Sequence, residues 1–367
     1  MTKVLTAHDA RQVASQPERV WRWMRKNLFS SWLNTLLTLL CLGLMWTLIP
    51  PLLDWAVFQA NWVGETRADC TKGGACWVFI HDRFGQFMYG LYPHELRWRI
   101  NAALVIGLFS VAAMFWKSLP HRGRYIAVWA VTYPILVWVL MYGGFLGLDR
   151  VESRLWGGLT LTLIIASVGI AGALPLGIVL ALGRRSRMPV VRILSIMFIE
   201  FWRGVPLITV LFMSSVMLPL FLPEGTTIDK LIRALVGVIL FQSAYVAEVV
   251  RGGLQALPKG QYEAAESLAL GYWKTQGLVI LPQALKLVIP GLVNTIIALF
   301  KDTSLVIIIG LFDLFSSVQQ ATVDPAWLGM STEGYVFAAI VYWVFCFSMS
   351  RYSQHLEKRF HTGRTPH

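Results

Sequence analysis

The sequence predicts an all-α polytopic membrane protein with about eight transmembrane helices. Composition is the first indication: of 367 residues, 56% are hydrophobic and only 14% charged, with a mean hydropathy of +0.58, well outside the range of soluble domains. Second, the apolar residues collect in continuous runs. A helix needs roughly 20 of them to cross about 30 Å of hydrocarbon, and the alternating pattern of barrel strands is missing. Third, the 32 Lys and Arg residues fall mainly in short segments between those runs. Membrane orientation explains the net charge of +12 better than nucleic-acid binding does.

The elements follow in order. Residues 1–29 are polar, carry Arg19, Arg22, Arg25 and Lys26, and lack a cleavable signal pattern, so they are expected to form a cytoplasmic tail. The first span, about 28–49, is expected to stop at Pro50-Pro51. A polar loop then runs to about residue 99. Cys70 and Cys76 lie in it, six positions apart without zinc-site spacing; they form a disulfide if the loop faces an oxidising compartment, or stay as two thiols. Spans at about 100–116 and 125–148 flank a basic turn at 117–124. Near residue 150 the chain divides into an accessory region, 30–150, and a second unit, 151–367. That unit holds spans at about 156–182, 193–222 (opening with a surface-lying elbow), 231–250, 285–311 and 335–350.

Charge counting fixes the orientation expected. With the N-terminus inside, the inner segments carry 21 Lys or Arg and the outer ones 8, which places both termini and the loop 251–286 in the cytoplasm and Cys70 with Cys76 outside.

The segment 258–284 is the most patterned part of the chain. Pro258-Lys259-Gly260 breaks the preceding helix. Glu263 and Glu266 then fall in the first turns of a new one, where acids suit the positive end of the dipole. Tyr262, Ala265, Leu268, Ala269 and Tyr272 recur at helical spacing, Ala264 and Ala265 permit close approach, Gly271 is expected to end the helix, and Pro282 to punctuate the next turn. Two readings fit: a docking surface for a partner, or a hairpin lying on the membrane.

Other polar residues have less specific patterns. Lys301, Asp302, Thr303 and Ser304 interrupt an apolar run, where ionisable groups face a protein interior or a wet path; they suit a translocation path or subunit interface, or a structural seam between helices. Glu200 with Arg203, and Glu248 with Arg251, are spaced to pair on one helical face. His81 and His94 have no ligand cluster around them. The Trp residues near span ends suit interfacial belts. No Gly-Lys dipeptide occurs, so a phosphate-binding loop is excluded and any ATP hydrolysis falls to a partner.

The segment resembles the signature loop of permeases of binding-protein-dependent ABC importers. That pattern is Glu-Ala-Ala, three residues, Gly, nine residues, Ile-x-Leu-Pro; here Glu263, Ala264, Ala265, Leu281 and Pro282 match, while Ala269 and Val279 replace Gly and Ile. The segments 244–261, 200–206 and 301–305 are similar to the polar amino-acid branch, and the resemblance covers about 155–360. It implies a five-helix type I permease core preceded by three extra helices, with coupling to the ATPase through Glu263, Ala264, Ala265, Glu266, Ala269, Gly271, Leu281 and Pro282. Gly271 is expected to supply, two residues late, the turn that Ala269 lacks. The implied partners are ABC ATPase subunits binding ATP and Mg, a second related permease, a periplasmic amino-acid-binding protein and membrane lipid, in a bacterial inner membrane. No cofactor is expected in this chain. The rival reading is an ion-gradient-driven secondary transporter, which needs intramembrane acids for its coupling site; a membrane enzyme would need a convergent catalytic set.

Overall fold

The computed structural model describes residues 16–70, 73–115, 122–144, 147–223 and 228–360. Residues 1–15 of the N-terminal tail, residues 117–121 of the basic turn and the C-terminal residues 361–367 lie outside them. The chain divides into two compact units, Met1–Val78 and Phe79–His367.

In the first unit, the described part of the tail is a helix, α1 (Gln16–Asn27). Its charged residues Glu18, Arg22, Arg25 and Lys26 share one arc of the helix, and Val20, Trp23 and Met24 share the opposite one. Helix α2 (Trp32–Leu53) starts at the Ser31 cap, whose side chain accepts from the Asn34 N–H. It does not stop at Pro50-Pro51 as expected. The two prolines remove donors, yet both of their carbonyls accept from the Asp54 N–H, and one wider turn continues to Phe58. Beyond it, Cys70 and Cys76 are joined in a disulfide. The Trp77 ring lies 6.2 Å from Trp55 and 5.8 Å from Trp62, and its Nε1 donates to the Ala56 carbonyl at 2.8 Å. Backbone N–H groups of Glu65 and Thr66 hold the Asp69 carboxyl below the usual carboxylate range.

The expected polar loop 50–99 contains a helix, α3 (Trp77–Tyr89), and the division between the units falls in its first turn. Within the second unit α3 is anchored by fully buried Phe79 and Phe87, by Arg83 to Asp324 at 2.6 Å and by the Trp327 indole donating to Asp82 at 2.8 Å. Helices α4 (Trp98–Phe115) and α5 (Arg122–Tyr142) follow. Helix α5 ends six residues before the predicted end of its span. Gly143 and Gly144 turn the chain with φ of +69° and +77°, and a Cβ on Gly143 would lie 2.1 Å from the Asp149 carbonyl oxygen.

The remainder is a helical bundle: α6 (Gly158–Arg184), α7 (Pro189–Gly204), α8 (Leu207–Phe212), α9 (Lys230–Ala256), α10 (Lys259–Ser267), α11 (Tyr272–Lys274), α12 (Leu281–Leu287), α13 (Ile289–Asp302), α14 (Leu314–Thr322) and α15 (Ser331–Phe360). Helix α7 turns by 101° into α8, because Val205-Pro206 breaks the helical ladder. Helix α13 runs on as a tighter helix to Ile309 and ends at Gly310, φ +70°. Among the described residues, 5 helices are long and apolar enough to cross a membrane, or 6 if the bent pair is one span; α4 and α5 have 18 and 21 residues.

Helices α6 and α9 pack most extensively, through small residues: a Cβ on Gly177 would stand 2.6 Å from Val246, the kind of close approach that stabilises helix pairs in lipid. Helix α6 is 27 residues long, so the ends of the bundle lie about 40 Å apart. At one end Gly157 and Gly158 bridge Phe312 and Asp313. At the other, Arg184 meets the C-terminal part of α9, and the patterned segment sits beside it.

Candidate functional site

Helix α10 opens at Pro258 with no side-chain cap and has no acid in its first turn. Glu263 lies in its second turn and Glu266 in its last, which corrects the expected placement of both at the positive end of the dipole. The expected five-residue face is also split. Ala265 is 2% exposed and packs inward with half-buried Tyr262, whereas Glu263, Ala264, Leu268, Ala269 and Tyr272 are exposed. Among the described residues the Glu263 side chain has no hydrogen-bond or ion-pair partner; only its carbonyl is used, accepting from the Ser267 hydroxyl.

The bend is made at Ala269 itself. Its φ of +52° is the one left-handed non-glycine value among the described residues, while Gly271 is extended, with φ −66° and ψ 160°. This corrects the expectation that Gly271 supplies the turn. Two bonds hold the conformation: the Ala269 N–H donates to the Glu266 carbonyl at 2.9 Å and the Leu270 N–H to the Ala265 carbonyl at 3.2 Å, the Schellman pattern. Thr275 Oγ1 then caps the Leu270 carbonyl at 3.1 Å. A left-handed alanine costs about 1 kcal/mol relative to glycine. Ala269→Gly is therefore expected to preserve activity and raise thermal stability slightly, and Ala269→Val to lower both; a melting curve of the purified protein with a parallel uptake assay checks this.

Anchors join the segment to the bundle. Arg185 Nη1 donates to the Leu254 carbonyl at 2.8 Å and to the Tyr262 hydroxyl at 3.0 Å, and its guanidinium lies 5.5 Å from the Tyr262 ring centre. Gln283 donates to Gln261 at 2.9 Å. Leu281 is partly buried, and Pro282 stands in the first turn of α12, where a missing N–H is harmless, so it opens α12 and does not interrupt it. Ile280 and Ala284 are buried in one cluster with Val246, Val250 and Leu254 of α9. Gly253 permits this: its Cβ would come within 2.7 Å of the Ala284 carbonyl oxygen.

The two local pairs predicted on α7 and α9 merge into one network. Glu248 binds Arg184 at 2.6 Å and Arg251 at 2.8 Å, and Arg184 also reaches Glu200 at 3.0 Å. Arg203 stands back, 3.9 Å from both Glu200 and Glu248. Sequence reasoning missed Arg184, because its partners lie on other helices.

Lys301, Asp302, Thr303 and Ser304 are at the junction of α13 with its tighter continuation. Thr303 is 1% exposed and donates to the Phe300 carbonyl; Ser304 donates to that of Lys301. No ion pair joins Lys301 to Asp302 among the described residues, consistent with adjacent positions on a helix. Asp313 was not singled out in the sequence. It is fully buried, caps α14 through the Ser316 N–H, and accepts from the Ser316 hydroxyl at 2.6 Å and the Tyr342 hydroxyl at 2.8 Å. The Asp-x-x-Ser start of α14 was the available signal. Among the described residues no group of three His, Cys, Asp or Glu side chains is arranged to hold a metal.

The described residues thus form a bundle with several helices of membrane-crossing length and composition, and beside its end a short helix braced from behind and exposed on its outer face. Residues 173–362 match the family model described as the binding-protein-dependent transport system inner membrane component. The chain is 84% identical, over 100% of both chains, to the inner membrane amino-acid ABC transporter permease protein YhdY of Escherichia coli (strain K12). It is 39% identical to the glutamate/glutamine/aspartate/asparagine transport system permease protein BztC of Rhodobacter capsulatus, over 92% of this chain and 93% of that one. A solved chain, from the crystal structure of an amino acid ABC transporter with histidines, is 30% identical over 55% of this chain and 92% of that one, with a TM-score of 0.49. The protein belongs to the binding-protein-dependent transport system inner membrane component family. It is a non-catalytic, multi-pass inner-membrane component of an ABC importer.

Proposed function

We propose that this chain is the permease subunit that carries L-amino acids across the bacterial inner membrane, driven by a separate ATPase that docks on α10. The observation that carries the reading is Glu263: an exposed carboxylate on a well-braced helix, with no side-chain partner among the described residues. The 84% identity to a protein named as an amino-acid permease supports the substrate class.

On this reading the eight spans are α2, α4, α5, α6, the bent pair beginning with α7, α9, α13 with its continuation, and α15. The charge asymmetry supports cytoplasmic termini. Residues 30–150 form the accessory region and 151–367 the permease core. Glu263 and Ala264 contact the ATPase, with Glu266 and the bend at Ala269 completing the surface, while Ala265, Leu281 and Pro282 hold it to the bundle and Gly271 begins the return. Motion of the ATPase reaches α6 through Tyr262 and Arg185 and reaches α9 through Ile280 and Ala284. Switching requires that the partner bind the inward and outward states with different affinity. Lys301, Asp302, Thr303 and Ser304 belong to the translocation path or to the interface with a second, related permease. A periplasmic amino-acid-binding protein delivers the solute, and ATP and Mg bind the partner.

Reconstitution tests the reading. Uptake into liposomes is expected only with binding protein, ATPase and ATP all present; uptake that follows an ion gradient without the ATPase overturns it in favour of a secondary transporter.

A further inference from the structure

Helix α1 (Gln16–Asn27) sorts its side chains by chemistry. At 3.6 residues per turn, Trp23, Val20, Met24 and Trp21 fall within an arc of about 160°, and Arg25, Glu18, Arg22 and Lys26 within about 100° on the opposite side. Asn27 also falls in the apolar arc, where its amide donates to the Trp23 carbonyl at 2.8 Å. Among the described residues nothing covers that arc: Val20, Trp21 and Trp23 are 55%, 66% and 59% exposed. Two indoles, a valine and a methionine backed by three basic residues and one acid are the composition of a helix that lies in a membrane interface.

Position decides the occupant. Only residues 28–31 separate α1 from α2, which with its turn to Phe58 is long and apolar enough to cross a membrane. The corner between them is bonded throughout. The Leu28 and Phe29 N–H groups donate to the Met24 carbonyl at 2.8 and 3.2 Å, the Thr38 hydroxyl donates to the Leu28 carbonyl at 2.9 Å, and the Asn34 amide donates to the Ser30 hydroxyl at 2.7 Å. Thr38 stands in the second turn of α2, so the end of α1 is tied beside the first turns of the span, where hydrocarbon gives way to headgroups. Indole rings and basic side chains at a span end both suit that layer.

We infer that α1 lies in the membrane interface, its Val20-Trp21-Trp23-Met24 arc at the acyl boundary and Arg22, Arg25 and Lys26 on the phosphates of acidic phospholipids. It thereby sets the depth of α2. The apolar helix from Trp32 to Phe58 has 27 residues and is about 40 Å long, against about 30 Å of hydrocarbon, so anchors at its ends fix where it sits. The inference needs only that α2 is a span, and it stands apart from the ATPase reading.

The test uses the full chain in liposomes of phosphatidylcholine with increasing phosphatidylglycerol, spin-labelled at one cysteine in a background with Cys41 and Cys346 replaced by Ser. Val20→Cys reports the apolar arc and Glu18→Cys the charged one, through collision with oxygen, which concentrates in lipid, or with a water-soluble nickel chelate. The label at position 20 is expected to favour oxygen and the label at 18 nickel. Arg25→Gln, added to Val20→Cys, is expected to lower the ratio of inserted to free label about fivefold at equal phosphatidylglycerol, the loss of one basic contact near an acidic surface. Arg25→Lys restores the ratio and guards against misfolding as the cause. Equal behaviour of the two labels overturns the inference, whether both meet water as a free tail or both sink into lipid. Shielding of position 20 from both reagents overturns it in favour of a protein partner. Insertion indifferent to phosphatidylglycerol and to Arg25→Gln overturns the acidic-lipid assignment.

Discussion

Glu263→Ala is expected to reduce ATP-driven uptake by about tenfold or more while leaving the permease folded, because truncating a charge at an interface costs 2 kcal/mol or more and each 1.4 kcal/mol is tenfold. The side chain is exposed and has no hydrogen-bond or ion-pair partner among the described residues. Its loss should therefore move the thermal stability of the isolated subunit by no more than about 0.5 kcal/mol, as for other featureless surface positions. ATP hydrolysis by the assembled complex should lose its dependence on the loaded binding protein. The two readouts separate docking from folding: a variant that melts early has lost structure, and one with normal uptake removes Glu263 from the mechanism.

Glu248→Gln is expected to act the other way, through stability. Glu248 is the common partner of Arg184 and Arg251, and its side chain is 17% exposed. Neutralising it leaves two bonded guanidinium groups facing one another with only Glu200 nearby. Removing one member of a deeply buried ion pair costs 3 kcal/mol or more; partial exposure and screening lower that here to about 2 kcal/mol. A melting temperature lower by about 3 °C is the corresponding shift for a chain of this size. Glu200→Gln is the control. That side chain is 53% exposed, and its loss should cost under about 1 kcal/mol. If the two variants melt together, Glu248 is not the hub of the network.

Much of the bundle was legible because a continuous apolar run of span length suits a membrane-crossing helix and little else. The elements that were missed obey local rules overridden by tertiary contacts. Helix α3 lies in a stretch polar enough to pass for a loop. Its core is only a few aromatics, Phe79 and Phe87 among them, and its stability comes from partners more than two hundred residues away, Asp324 and Trp327. The prolines at 50 and 51 break helices in general, but here the helix carries on past them, both of their carbonyls accepting from the Asp54 N–H.

At the candidate site, sequence placed the right segment and misplaced its turn. Glycine is the usual left-handed residue, so Gly271 drew the prediction. The chain bends at Ala269 because two backbone bonds and Thr275 hold it there, and no residue-by-residue preference contains that information. Similarly, spacing three apart revealed Glu248 with Arg251, but Arg184 joins them from another helix.

The central claim, that α10 is the face on which the ATPase acts, is tested most directly by cross-linking. Ala264 is exposed beside Glu263, and Ala265 is 2% exposed; each is replaced by Cys in a background without Cys41 and Cys346. Ala264→Cys in the assembled transporter is expected to cross-link to an ATPase subunit with a yield that changes on ATP binding, and Ala265→Cys to react poorly. Cross-links from position 264 to lipid or to no ATPase subunit, with uptake intact, would contradict the account.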